Sequence, residues 1–139
     1  MSKIYEAFEA LKREAKDGDM QAQCTVGDIY ADETRAVCDV EKAVYWYKKA
    51  AEQGHTKAQW LLGASYSLGI GITKDLVEAE RWLLKSAGGG DADGQYALAG
   101  YYFTKPDIVK AKYWLEIAAE QGHADAKAML HSVQLLYNI

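Results

Sequence analysis

Apolar residues recur along this chain every three or four positions, the spacing of a helix with one buried stripe. In the first helix of the first unit the stripe is Ala22, Val26 and Tyr30; in the second it is Ala43, Trp46, Ala50 and Ala51. Polar punctuation separates the stripes. One set of helices starts at Asp19, His55 and Asp91, each one residue after Gly18, Gly54 or Gly90. Those glycines suit the left-handed position that ends the preceding helix. A second set starts at Asp39, Asp75 and Asp107, where a carboxylate accepts the free amide protons of a first turn and meets the positive end of the dipole. Pro106 sits at the last of these starts, where its missing amide proton costs little.

The pattern repeats. The stretch from Lys42 to Ala58, centred on Trp46, returns loosely around Trp82 and more closely around Trp114, after steps of 36 and then 32 residues. Self-similarity at such a period marks a stacked array, which points away from catalysis and toward binding. The second unit carries the loop Leu68-Gly-Ile-Gly-Ile72 between its helices, the first Asp32-Glu-Thr-Arg35, and the third is four residues shorter there. Gly27 and Gly63 lie beside Val26 and Leu62, where a missing side chain lets two helices approach closely; in the third unit this shifts to Ala99-Gly100.

The ends follow the same register. Ala7, Leu11, Ala15 and Gly18 align with Ala43, Tyr47, Ala51 and Gly54, so residues 2–18 read as a second helix without its first. Residues 123–137 read as a first helix without its second, with His131 where Gly27 and Gly63 stood. The expected organisation is one all-α domain over residues 1–139: a cap over 2–18, repeats over 19–54, 55–90 and 91–122, and the closing helix, eight helices in all.

Composition narrows the class. Half of the 139 residues are apolar and 26% are charged, an ordinary globular balance. A net charge of −4 disfavours nonspecific nucleic-acid binding, which needs clustered Lys and Arg. No apolar run reaches the length of a membrane span, and the start of the chain lacks a signal-peptide pattern, so the expectation is a cytoplasmic protein without membrane or nucleic-acid partners. Cys24 and Cys38 form no paired motif.

The consensus Ala-x-x-x-Leu-Gly-x-x-Tyr, a Gly-x-Gly loop, then Asp-x-x-x-Ala-x-x-Trp-x-x-Lys-Ala-Ala-x-x-Gly resembles the Sel1-like repeats, relatives of the tetratricopeptide repeats. The second unit carries it best, through Ala58, Leu62, Gly63, Tyr66, Gly69, Gly71, Asp75, Ala79, Trp82, Ala87 and Gly90. The resemblance implies a right-handed α-α superhelix whose first helices line a concave face, and an adaptor module, common in bacteria, that binds proteins or peptides. A disulfide-rich branch of the family joins the helices of each repeat through cysteines. This chain lacks a Cys pair in each repeat and departs from that branch.

Catalytic and metal chemistry finds no support. His55, His123 and His131 are scattered over separate units, and no Cys, His or carboxylate set has ligand spacing. No nucleophile elbow or phosphate loop is present, and no cofactor is implied. Trp46, Trp82 and Trp114 share one register and read as buried stacking residues.

The third position of the first helix is different. Counted from Ala22, Ala58 and Gly94, it holds Cys24, Trp60 and Tyr96, off the core stripe and on the side that the family geometry turns to the groove. Positions seven, ten and eleven join it: Asp28, Ala31 and Asp32; Ala64, Ser67 and Leu68; Gly100, Phe103 and Thr104. The candidate partner-binding residues are Cys24, Asp28, Lys57, Trp60, Ser67, Tyr96 and Phe103, with Trp60, Tyr96 and Phe103 as aromatic anchors and Asp28 and Lys57 at the rim. The alternative for the aromatics is packing between neighbouring first helices. The expected function is a noncatalytic scaffold, a monomer or weak dimer, holding a protein or peptide in its groove. The alternative is an inhibitor or immunity-type protein blocking one dedicated enzyme or toxin.

Overall fold

The computed structural model describes residues 2–139. Among them are eight helices and no strand: α1 Lys3–Lys16, α2 Met20–Ala31, α3 Val40–Glu52, α4 Thr56–Leu68, α5 Leu76–Gly88, α6 Ala92–Thr104, α7 Ile108–Glu120 and α8 Ala124–Tyr137. Helices α2, α4, α6 and α8 are of the first type; α1, α3, α5 and α7 are of the second. Each packs on its sequence neighbours, and α4 also touches α6, which makes a stacked solenoid. No helix among the described residues is long and apolar enough to cross a membrane.

The punctuation works as read. Asp19, Asp39, Asp75, Asp91 and Asp107 accept from amides of the first turn at 2.7–3.1 Å. His55 and His123 do the same through Nδ1, accepting from Ala58 at 3.2 Å and Ala126 at 3.1 Å. Gly18, Gly54, Gly90 and Gly122 all take positive φ at the corners, the conformation that favours glycine.

Within a pair, a knob on the second helix enters a hole on the first. A Cβ built on Gly27 would lie 2.6 Å from the Tyr47 ring, and one on Gly63 2.7 Å from Leu83. The third pair corrects the expectation for Gly100, whose Cβ would meet nothing within 4 Å. Fully buried Ala99 holds the equivalent position there.

Between helices of successive units, a buried carboxamide crosses the first three junctions. Gln23, Gln59 and Gln95 donate to Ala15 O, Ala51 O and Ala87 O, satisfying the free carbonyls at the end of the preceding second helix. Gln53 and Gln121 donate in turn to the carbonyl oxygens of Gln23 and Gln95 at 2.8 and 2.7 Å. In the second pair Gly89 stands in that register and supplies no such donor. There Ser86 Oγ donates to Thr56 O, and Thr56 Oγ1 to Asp91.

Trp46 and Trp82 are buried, whereas Trp114 is only half-buried, against the expectation that all three are buried. Helix α7 is the last second-type helix described, with no further pair stacked on its flank.

Candidate functional site

Positions seven, ten and eleven of a helix share one face, because three- and four-residue steps return to the same side. On α4 and α6 those positions line a cleft of about 270 Å³, bounded by Ala64, Ser67 and Leu68 on one wall and Gly100 and Thr104 on the other. Leu83 of α5 also lines it. Small residues at position seven, Ala64 and Gly100, give the cleft its depth. Leu68 stands at its edge, 68% exposed.

Tyr101, also in the cleft wall, is fixed from behind. Its hydroxyl donates to Leu76 O and to Glu80, which also accepts from Tyr102 at 2.9 Å and from Lys105. Burial alone would push the Glu80 carboxyl up; the bonds from Tyr102 and Lys105 outweigh it and hold the carboxyl below its usual range.

The first unit presents charge at position seven in place of a small residue. Asp28 accepts from the Tyr47 hydroxyl at 2.8 Å and from Lys57 at 2.7 Å, so the two rim candidates form one ion pair between α2 and α4. Cys24 does not line the groove. It is fully buried, and burial with the nearby Asp28 charge pushes its thiol up to about 11. At a position where Trp60 and Tyr96 are large, a cysteine is too short to reach the surface.

The three aromatic candidates are half-buried and do not converge on one point. Trp60 packs on the core of the second pair, and its indole N–H is buried without an acceptor among the described residues. Tyr96 stacks on His123, ring centroids 4.8 Å apart, which ties it to the cap of α8. Phe103 wedges between the cores of the second and third pairs. Ser67 is the candidate found in the cleft itself.

Sequence reasoning missed the continuation of the groove face onto α8. Ala128, Ser132, Leu135 and Leu136 occupy positions three, seven, ten and eleven of that helix, and Leu135 and Leu136 are 71% and 80% exposed. Carrying the register past Ala126 would have found them.

Residues 21–55, 56–91 and 92–123 each match the Sel1 repeat. Two solved structures are similar. One is a protective antigen present in uropathogenic Escherichia coli strains and displaying an SLR fold, 30% identical over 92% of this chain with a TM-score of 0.86. This chain spans only 28% of that protein's length. The other is a Sel1 repeat protein from Oxalobacter formigenes, 34% identical with a TM-score of 0.73, the match covering 89% of this chain and 96% of that one. No curated protein sequence matches the chain.

Proposed function

The chain belongs to the Sel1 repeat family, and on that premise we propose that it is a noncatalytic scaffold holding a peptide or helix of a partner protein along its concave face. Proteins of the family generally serve as protein–protein interaction scaffolds. The observation that carries the reading is the set of exposed leucines at positions ten and eleven of the first helices, Leu68 on α4 and Leu135 and Leu136 on α8, with the cleft between α4 and α6. A single exposed leucine needs no explanation; a row in one register is what an apolar ligand face requires. The acidic groups Asp28 and Glu80 are already engaged by Lys57 and Lys105, which favours an apolar ligand over a basic one. The unpaired thiols of Cys24 and Cys38 suit the cytoplasm, and a bacterial source is in keeping with both solved relatives.

The test is a selection of peptides from a displayed random library, followed by affinity measurements on Leu68→Arg and Leu135→Arg. Both positions are exposed, so the fold survives the change. A loss of about tenfold or more is expected, equivalent to about 1.4 kcal/mol. Affinities unchanged in both variants would remove the concave face from the reading.

A further inference from the structure

Gly100 is idle within the chain. It lies inside α6, where a glycine weakens a helix relative to alanine, and a Cβ built on it would meet nothing within 4 Å. Gly27, Gly63 and Gly94 differ, since a Cβ on any of them would collide with a neighbouring helix. The space in front of Gly100 is the cleft of about 270 Å³ between α4 and α6, with buried Leu83 at its base and Ala64 and Tyr101 in its walls. Between α2 and α4 the same register is occupied. Tyr47, the equivalent of Leu83, carries its hydroxyl to Asp28, the equivalent of Ala64, and Lys57 meets the same carboxylate. The recess at the second step of the groove stands where the first step holds a charged network.

The cleft itself is lined without a charged residue, but its C-terminal end carries lysines. Lys105 follows Thr104 and holds its ammonium 5.1 Å from the centroid of the Tyr101 ring. Its carboxylate partner, Glu80, is 3.4 Å away and also serves the hydroxyls of Tyr101 and Tyr102. Lys74 packs its stem on Gly69, the residue after Leu68, and pairs with no carboxylate among the described residues. Asp75 and Asp107, the nearest acidic groups along the chain, are turned to the helix starts that they cap. We propose that the cleft is the socket for one large apolar side chain of the peptide held in the groove, and that an acidic residue beside it meets Lys74 and Lys105. The inference rests on the reading of the concave face as a peptide groove and gives the ligand a class: a segment in which Phe, Leu or Met adjoins Asp or Glu. An apolar recess beside cations sets the register of such a segment as well as its affinity.

The probe is N-acetyl-Ala-Glu-Phe-Glu-Ala-amide, titrated into the full chain by NMR. It carries an acidic residue on both sides of the apolar one and no terminal charge. The expected result is saturable shifts of the Ala64 and Gly100 amide signals. Affinity should fall at least about tenfold with Gly100→Leu, whose side chain would fill the cleft. It should fall at least about threefold with Lys74→Gln, or when both glutamates of the peptide are replaced by glutamine. Gly100→Ala should also raise the melting temperature of the free chain by about 2–6 °C, because the glycine serves the ligand and not the fold. A midpoint lowered by Gly100→Ala overturns the inference. So does an absence of binding, affinity indifferent to Gly100→Leu, or equal affinity for the glutamine peptide. Library-selected peptides that lose affinity on Leu135→Arg and keep it on Gly100→Leu would overturn the socket while leaving the groove in place.

Discussion

Ser86 occupies the space that Gly94 leaves empty. A Cβ built on Gly94 would lie 2.8 Å from Ser86 Cβ and closer still to its hydroxyl. The equivalent positions at the neighbouring junctions hold Ala50 with Ala58 and Ala118 with Ala126, all fully buried. One junction therefore keeps the same total volume with a larger residue on the second helix and a smaller one on the first. Overfilling such a site costs about 1–3 kcal/mol, the expected effect of Gly94→Ala. Ser86→Ala alone loses its bond to Thr56 O, about 1 kcal/mol. The double variant recreates the alanine pair and should be more stable than Gly94→Ala alone, a coupling that denaturant melts of the four proteins measure. Additive losses would contradict the packing.

Acid should weaken the cap on α4. His55 caps by accepting at Nδ1, which requires the ring to be neutral there, and its Nε2 lies 3.0 Å from Gln21 Oε1, which it can then only donate to. Burial, then the Lys57 charge, lowers its pKa below 6.5. A lowered pKa means that the unfolded chain takes up the proton first. The contribution is thus whole above pH 6.5 and is lost as pH falls through the lower folded value. Urea melts at pH 7.5 and pH 5 should show a decline of about 1 kcal/mol, the usual worth of a cap. His55→Asp, which copies Asp19 and Asp91, should flatten the decline over that range.

Burial ranks the tryptophans. Trp82→Ala should cost about 3–5 kcal/mol, since its ring is buried in the central unit beneath Arg81 and Lys85. Trp114→Ala should cost distinctly less, because half-burial leaves less area to lose. Equal shifts in the denaturation midpoint would count against this ranking.

Gly71 and Gly54 separate two uses of a left-handed glycine. Gly54→Ala meets nothing within 4 Å and should cost only the backbone strain, about 1–2 kcal/mol. Gly71→Ala meets the same strain and also drives its Cβ into the Val40 carbonyl at the start of α3. It should be the more damaging of the two by at least about 1 kcal/mol. The order of their thermal midpoints checks this.

Much of the fold was legible because the same instructions are written several times. Aspartate at 39, 75 and 107 and glycine at 18, 54 and 90 locate helix ends without any tertiary information, and Gly27 and Gly63 mark the tight crossings. The cleft was legible to the extent that register is: Ser67, Leu68, Gly100 and Thr104 fell where position-counting put them. Counting did not supply side-chain length, which buries Cys24 where Trp60 and Tyr96 remain half-exposed. Nor did it foresee that Tyr96 would be spent on His123, a contact between units that no single repeat encodes. The apolar cavity beside α1 was implicit in reading that helix as a second helix without its first, yet Val37, which lines it, comes from a loop whose length and sequence differ from unit to unit.

The carboxamides at the junctions bear on the mechanics of the array. Apolar surfaces can slide over one another at little cost, whereas a hydrogen bond holds only at one angle and distance. The Gln53–Gln23 and Gln121–Gln95 bonds therefore act as detents, setting the rotation of the second helix on the first within a pair. Where Gly89 leaves the middle detent out, Ser86 and Thr56 clamp the helices by their backbone and leave the corner Gly88-Gly89-Gly90 without a side chain to lock. The second pair, α4 and α5, is thus indexed by a hydroxyl in place of a carboxamide, and the cleft lined by Leu83 and Tyr101 lies against that pair.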